Sequence, residues 1–430
     1  MKRFIFILCS ILIWSSCLTQ TPYEPRTFDQ VDGPEQQALQ TFHHFVNALQ
    51  VGEVKSTSVK KPEVTSIKKM TPMTKSLGDL PLYEISFLSG SDRTEGFAIV
   101  GQCDVFNEVL VFSSEGTLSD TSFNVGFAAY IQELEHAISA MGIQTKDFGV
   151  DMVGNIFIDP ITDSTRIVRE LTAAEAYRYG PMSPFVMDST VRYEYRMAEV
   201  PTKWGQQAPY NNKVPEFTTN NPDKRVSIGC VAVAIGQLMA YHRYPSTYNW
   251  DLILSSDKVE VGESDRADAV SDLLIDIAYA VDMDWIPESD AGSASRAMII
   301  PALNSFGYSA ERTLYGDQYN YTIPFWNIFD EYTAPVLMGA KRDGGSHRWI
   351  VDGVLQQTRY YCEAYGEISA DGVNRYWLST YPVRGYLVHC NWGWNGLDDG
   401  WYYHFRTDTL MRDYCYNKDM VSNIKIQNNE

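Results

Sequence analysis

The sequence predicts an α+β fold in two successive units, and three observations carry that reading. Apolar residues recur at the 3.6-residue period in segments around residues 37–51, 125–141, 230–241, 268–280 and 294–306. Short β-rich runs fill 83–88, 97–100 and 108–112, and aromatic-rich β segments fill the chain from Pro335 onward. In the second unit helices come first and strands later, which is the pattern of two halves meeting at a cleft rather than of alternating βαβ layers.

With 430 residues, 44% of them hydrophobic and 13% aromatic, the chain is long enough for two or three domains and too apolar for disorder. Its 54 acidic side chains outweigh 35 basic ones, for a net charge of −19. The excess is spread over both units, so it serves solubility and excludes a broad grip on nucleic acid or an anionic surface. Seven cysteines without a CxxC pair do not make a disulfide framework.

Residues 1–17 read as an export signal: Lys2 and Arg3 precede the apolar run Phe4 to Trp14, and Ser15-Ser16-Cys17 follows. Cys17 after two serines resembles the lipobox of bacterial lipoproteins, with Trp14 where that motif usually has a small aliphatic residue. Two readings follow, lipidation at Cys17 in the cell envelope and simple secretion. No later segment reaches the ~20 uninterrupted apolar residues of a membrane span.

Residues 22–36 read as a tether, and 37–51 as a helix with Leu39, Phe42, Val46 and Leu49 on one face. The lysine-rich stretch 55–75 reads as a solvated loop or edge hairpin. His43, His44 and His136 have no triad partner near them in sequence, and Cys103 reads as a small buried hydrophobe.

In the second unit Cys230 follows Gly229 and opens the run Val231, Ala234, Ile235, Leu238, Met239. A helix N-terminus carries about half a positive charge, and with a nearby imidazolium it lowers a thiol pKa to roughly 3.5–7.5. The same position suits a packing cysteine, so the base decides. His242, twelve residues along the helix, lies about 18 Å away at 1.5 Å per residue. His389 and His404 sit inside apolar or aromatic strands and read as core or edge residues. His347 follows Asp343-Gly344-Gly345-Ser346 at a strand mouth, where an imidazole faces a cleft. Farther on, Asn391-Trp392-Gly393-Trp394 reads as a tight turn whose indoles screen the pair from water. His389, Cys390, Cys362 and Cys415 lack the spacings of a zinc site, and no phosphate loop occurs, so neither metal nor cofactor is expected.

Gly229-Cys230-Val231-Ala232 with Gln237 to His242 and Tyr244-Pro245 resembles the nucleophile helix of the streptopain family of bacterial cysteine peptidases. Val281-Asp282-Met283-Asp284, Ala291-Gly292, Gly345-Ser346-His347, Val351-Asp352-Gly353, Asn391 to Trp394 and Asp399-Gly400 recur there in this order. The resemblance implies a papain-like peptidase domain at 191–430, preceded by a small α+β inhibitory prodomain at 22–190 that acts as an intramolecular partner. It implies cleavage of protein and peptide substrates, with Cys230 as nucleophile, His347 as general base and acid, and Gln206 in the oxyanion hole. Trp392 takes the position that orients the histidine, and Asn391 is a weaker candidate for it.

Three departures bear on specificity. Ser346 and Arg348 flank His347 in place of small residues, which implies a narrower, charged groove wall. Asp290 stands in the substrate-binding turn where the family has a serine, which implies repulsion of acidic substrates. Residues 356–384 form an insertion that would cover or reshape the cleft. A binding or inhibitory protein on the same fold, with weak or no catalysis, is the alternative that these departures suggest.

Overall fold

The computed structural model describes residues 33–51, 62–71, 80–90, 93–103, 106–118, 127, 130–131, 134–135, 166–170, 191–260, 262–314, 334–342, 345–368, 374–404 and 416–427. Residues 1–17, expected to form an export signal, lie outside the described residues, as do the side chains of Cys103, His136 and His404.

The N-terminal unit begins with α1 (Gly33–Val51), which therefore takes in the last residues of the expected tether. Four strands follow, β1 (Glu63–Lys69), β2 (Leu82–Ser89), β3 (Thr94–Cys103) and β4 (Phe106–Ser113). They form an antiparallel meander. Strand β1 is its outer edge and is mostly exposed, with Lys68 and Lys69 on a strand open to solvent; charge there discourages edge pairing with another chain. Phe42, Phe45 and Val46 of α1 pack on Ile85, Phe87, Ala98 and Val109. The opposite face takes Phe127, Ile131 and Leu134 against Leu82, Phe97 and Ile99. Phe127, Tyr130, Ile131, Leu134 and Glu135 are helical, and the rest of the helix expected at 125–141 lies outside the described residues. Both faces are covered, so β2 is buried almost throughout rather than at alternate positions.

The connection to the second unit supplies β5 (Arg166–Glu170) and β6 (Val191–Met197). Then come β7 (Phe217–Thr218) and β8 (Asn221–Arg225), a short hairpin. Helices α2 (Cys230–His242), α3 (Trp250–Ile253) and α4 (Ser264–Ala280) follow. A second small hairpin pairs β9 (Asp284–Ile286) with β10 (Ala291–Ser293). A 3₁₀ turn at Arg296–Met298 leads into α5 (Ile299–Ser305). The remaining strands are β11 (Tyr308–Leu314), β12 (Val336–Arg342), β13 (Gly345–Ile368), β14 (Asn374–Asn391), β15 (Gly400–His404) and β16 (Tyr416–Ile426). Helices and antiparallel strands segregate as the sequence predicts, and the α+β expectation holds.

One antiparallel sheet runs through both units in the order β1-β2-β3-β4-β15-β14-β13-β12-β16-β11. The join is β4 with β15, where Ser113, Phe112 and Val111 pair with Gly400, Trp401 and Tyr402. Helix α2 is buried from Val231 to Ala240, and its apolar side chains pack with Leu273, Leu274 and Ile277 of α4 and Leu303 of α5. A helix apolar on every side is an interior helix. It is the fixed base on which Cys230 stands.

The described residues of the insertion, 356–368 and 374–384, do not cover the cleft. They continue β13 and β14 as one long hairpin, with β6 and then β5 taking over the edge that β12 leaves. At 3.3 Å per residue the insertion starts about 30 Å along the strand from His347. Among the described residues no helix is long and apolar enough to cross a membrane.

Candidate active site

Cys230 is the first residue of α2, and the turn that delivers it depends on Gly229. That residue has φ 98°, and a Cβ there would lie 2.8 Å from the Met283 side chain. Across the turn Gly292 of β10 approaches so closely that a Cβ on it would meet the Gly229 Cα at 3.0 Å. Two glycines back to back let the β9-β10 hairpin press on the start of α2.

The thiol lies against the backbone N–H of Arg348, its own N–H and that of Val231. The helix N-terminus thus meets the His347–Arg348 segment of β13. The His347 ring is buried, and its Nε2 is 2.9 Å from the carbonyl oxygen of Trp392. A carbonyl only accepts, so Nε2 carries the proton and Nδ1 keeps its lone pair. The ring is stacked among Trp349, Trp392 and Trp394, with centroids at 6.1, 6.2 and 6.1 Å.

Burial dominates both ionisations. It pushes the Cys230 thiol up, against the Arg348 amide and the other N–H groups that pull it down. It also lowers His347 to about 4, against the pull of the Trp392 carbonyl. Burial thus favours the neutral thiol and the neutral imidazole over the charged forms here.

Gln206 is buried, its Oε1 3.4 Å from Ser227 Oγ, while its Nε2 has no hydrogen-bond partner among the described residues. An orphaned amide donor costs about 1–3 kcal/mol, a cost that a site retains when something else is to be bound there. The backbone holds it near the start of α2, with Ile228 N–H donating to the Gln206 carbonyl at 3.0 Å.

Asn391 is spent elsewhere. Its Oδ1 accepts from Gln237 Nε2 at 2.9 Å and from Gly393 N–H at 3.2 Å. Its Nδ2 donates to the Thr202 carbonyl at 2.7 Å and to Gln237 Oε1 at 3.2 Å. This reciprocal amide pair ties α2 to the Trp392 turn, and no bond runs from Asn391 to His347. The turn itself is as expected, with Gly393, Asn395 and Gly396 at φ 76°, 58° and 81°.

The departures resolve differently from their sequence reading. Arg348 alternates to the far side of β13 from His347 and is buried against Asp419, so it does not charge a groove wall. The Asp290 carboxylate is engaged by Lys224 Nζ at 2.5 Å, Ser227 N–H at 3.0 Å and Gln207 Nε2 at 3.3 Å, which leaves little net charge to repel a substrate. Ser346 is exposed beside His347.

Sequence reasoning missed Trp349, although i, i+2 alternation puts it on the face of His347. It also missed Asp399, whose Oδ1 accepts the Trp392 N–H at 2.7 Å. His389 is no simple core residue either: its Nδ1 is 2.6 Å from Asp352 Oδ1. Burial opposes its protonation, but Asp352 and Asp399 outweigh this and raise its pKa.

Residues 204–247 and 246–402 match the model of the Peptidase C10 family. This part of the chain is similar to the Peptidase C10 family. Among curated proteins, streptopain of Streptococcus pyogenes serotype M1 is 28% identical over 250 residues, 48% of this chain and 54% of streptopain. The thiol protease/hemagglutinin PrtT of Porphyromonas gingivalis is 21% identical over 345 residues, 74% of this chain and 33% of that protein. The chain spans about half the length of the streptopains it matches. A solved fragment of Prevotella intermedia prointerpain A, in a mutant form, is 19% identical with a TM-score of 0.49, covering 84% of this chain and 98% of its own. The resemblance to the streptopain family is thus borne out for the C10 domain, and the residues discussed as a site, from Gln206 to Asp399, all lie within the matched range.

Proposed function

We propose that the chain is an exported cysteine endopeptidase made as a zymogen, with Cys230 as nucleophile and His347 as its base. The observation that carries this is the meeting of the Cys230 thiol with the His347–Arg348 strand while the Trp392 carbonyl holds Nε2–H, which leaves Nδ1 as the proton acceptor. In the reaction Nδ1 takes the thiol proton and the sulfur attacks the peptide carbonyl. The Cys230 N–H and Gln206 Nε2 receive the oxyanion, and the imidazolium returns its proton to the departing amine. Water, deprotonated by the same ring, then hydrolyses the thioester.

The N-terminal unit, residues 22–190 in this reading, is the inhibitory prodomain. Its contact with the C10 domain supports that role: Phe97 packs on Phe127, Phe127 on Tyr402, Tyr402 on Trp392 and Trp392 on His347, at centroid distances of 5.5, 5.8, 5.2 and 6.2 Å. The neutral thiol and imidazole suit a latent enzyme. Release of the unit admits solvent and favours the ion pair. Export rests on residues 1–17, with Cys17 either lipidated or lost with the signal.

The test is labelling of the matured protein with a thiol-directed epoxide, read by mass. Modification at Cys230, abolished by Cys230→Ala and weakened by His347→Ala, is expected together with proteolysis. Absence of labelling where a control cysteine peptidase is labelled overturns the reading in favour of a binding protein on the same fold. The mass of the exported chain checks the prodomain and the lipid separately.

A further inference from the structure

The loop that carries the acceptor for His347 is closed at its neck by one carboxylate. Trp392 opens the loop and Asp399 ends it, and Asp399 Oδ1 holds the Trp392 N–H at 2.7 Å. Between them, four residues have positive φ: Gly393, Asn395, Gly396 and Asp398 at 76°, 58°, 81° and 61°. Two of the four are not glycine, so the path is costly and needs fixing from outside. Asn395 N–H donates to the Trp204 carbonyl at 3.1 Å, and Leu397 N–H to the Trp394 carbonyl at 3.0 Å. Neither restrains Trp392 itself. Its N–H goes to Asp399 and its carbonyl to His347.

Building on the assignment of His347 as the base, we propose that Asp399 is a positioning residue for the peptidase reaction, acting through Trp392 to fix the tautomer and angle of the His347 ring. A neutral imidazole has one proton to place. With the Trp392 carbonyl in place it sits on Nε2 and Nδ1 is free for the thiol; with the carbonyl displaced, Nδ1–H becomes competitive and the base is lost. The effect needs only a small shift, since displacement of a reacting group by about 1 Å costs on the order of 10²-fold in rate.

Asp399 is itself set from two sides. Its backbone carbonyl accepts Ser113 Oγ of the N-terminal unit at 2.7 Å, and its N–H donates to the Gly396 carbonyl at 3.2 Å. The residue that positions the acceptor for the base is thus also one that the N-terminal unit grips.

The experiment compares Asp399→Ala and Asp399→Asn in the full chain after its own maturation, with Cys230→Ala and His347→Ala as controls. Asn keeps an acceptor oxygen for the Trp392 N–H and Ala does not. Asp399→Ala is expected to lower kcat about 10–100-fold with KM within about threefold, and Asp399→Asn to recover most of the loss. Ring-¹⁵N NMR of the histidines in a Cys230→Ala background reads the tautomer directly: Nε2–H in the parent and in Asp399→Asn, a mixture in Asp399→Ala. Wild-type kcat in Asp399→Ala, or an unchanged His347 tautomer there, overturns the proposal. If Asp399→Ala does not fold, Asp399→Glu replaces it, where a fall in kcat with a disturbed tautomer supports the proposal and unchanged values overturn it. If His347→Ala stays active, the functional reading itself has failed. If both controls are inactive and Asp399→Ala is not impaired, only the positioning role has.

Discussion

The guanidinium of Arg348 crosses the middle of the sheet to reach Asp419, with Nη2 at 2.8 and 3.0 Å from the two carboxylate oxygens. The strand between them contributes Gly339, which pairs with Arg348 on one side and Asp419 on the other. A Cβ at Gly339 would lie 2.4 Å from the guanidinium carbon, so the glycine is what opens the passage. Both charged side chains are buried, and removal of one leaves the other uncompensated at a cost of about 3–5 kcal/mol. Asp419→Ala is expected to lose that much in urea denaturation of the full chain in a Cys230→Ala background. The double variant Arg348→Met with Asp419→Leu is expected to recover most of it. A loss below about 1 kcal/mol in Asp419→Ala contradicts the ion-pair account.

Glu115 binds across the boundary between the two units, to Lys203 Nζ at 3.2 Å and to Lys258 Nζ. Its carbonyl also accepts Asp398 N–H at 3.1 Å, beside the β4-β15 pairing. The side chains are part-exposed, so the two ion pairs together are worth about 1 kcal/mol and are screened by salt. Glu115→Ala is expected to speed hydrogen exchange at the β15 amides facing β4 by roughly fivefold at low ionic strength, converging with the parent at high salt. Equal exchange at both salt concentrations removes the role assigned to Glu115.

The helix at Cys230 was legible because its signal is local: a glycine, a cysteine and an apolar period. His347 was legible because glycines mark a strand mouth. What escaped the sequence was pairing across the sheet. Nothing local says that Arg348 spans Gly339 to Asp419, about seventy positions away, and so a buried ion pair looked like a charged groove wall. Asp290 misled in the same way, since Lys224 and Ser227 reach it only once the hairpins are folded. Asn391 looked like an orienting amide because amides serve that purpose elsewhere, but its partner Gln237 was visible only as part of an apolar helix. In each case residue type was right and the partner was missing.

Two buried groups make stability respond to pH in opposite directions. His347 has its pKa lowered to about 4, so as pH falls below 6.5 the unfolded chain takes the proton first and stability is lost, down to about pH 4. Asp399 is raised by burial to about 7, so the folded chain takes the proton first and stability is gained as pH falls from 7 toward 3.8. From about 6.5 to 4 the two slopes oppose each other. In a Cys230→Ala background, His347→Gln is expected to gain about 1.4 kcal/mol relative to its parent between pH 7.5 and 5.5, and Asp399→Asn to lose a similar amount. Denaturation curves at the two pH values check this, because the other titrations are common to variant and parent. Parallel pH dependences would show that neither group is as buried in solution as the fold places it.

The unpartnered Nε2 of Gln206 separates catalysis from stability. A buried donor that makes no bond in the resting protein only costs stability, so Gln206→Ala removes that penalty while it loses packing and the 3.4 Å contact to Ser227, for a net change of no more than about 1 kcal/mol. In the proposed mechanism the same donor meets the negative charge of the tetrahedral intermediate in a water-poor site, where one oxyanion contact is worth about 10²–10³ in kcat. Gln206→Ala is therefore expected to fold normally, to take up a thiol-directed epoxide at Cys230 at close to the parent rate, and to cleave peptides about a hundredfold or more slowly with KM little changed. Epoxide opening builds no acyl oxyanion, so the contrast between labelling and turnover tests the role of the donor rather than the integrity of the site. Equal losses in both assays would mean that Gln206 supports the Cys230 turn and not the transition state.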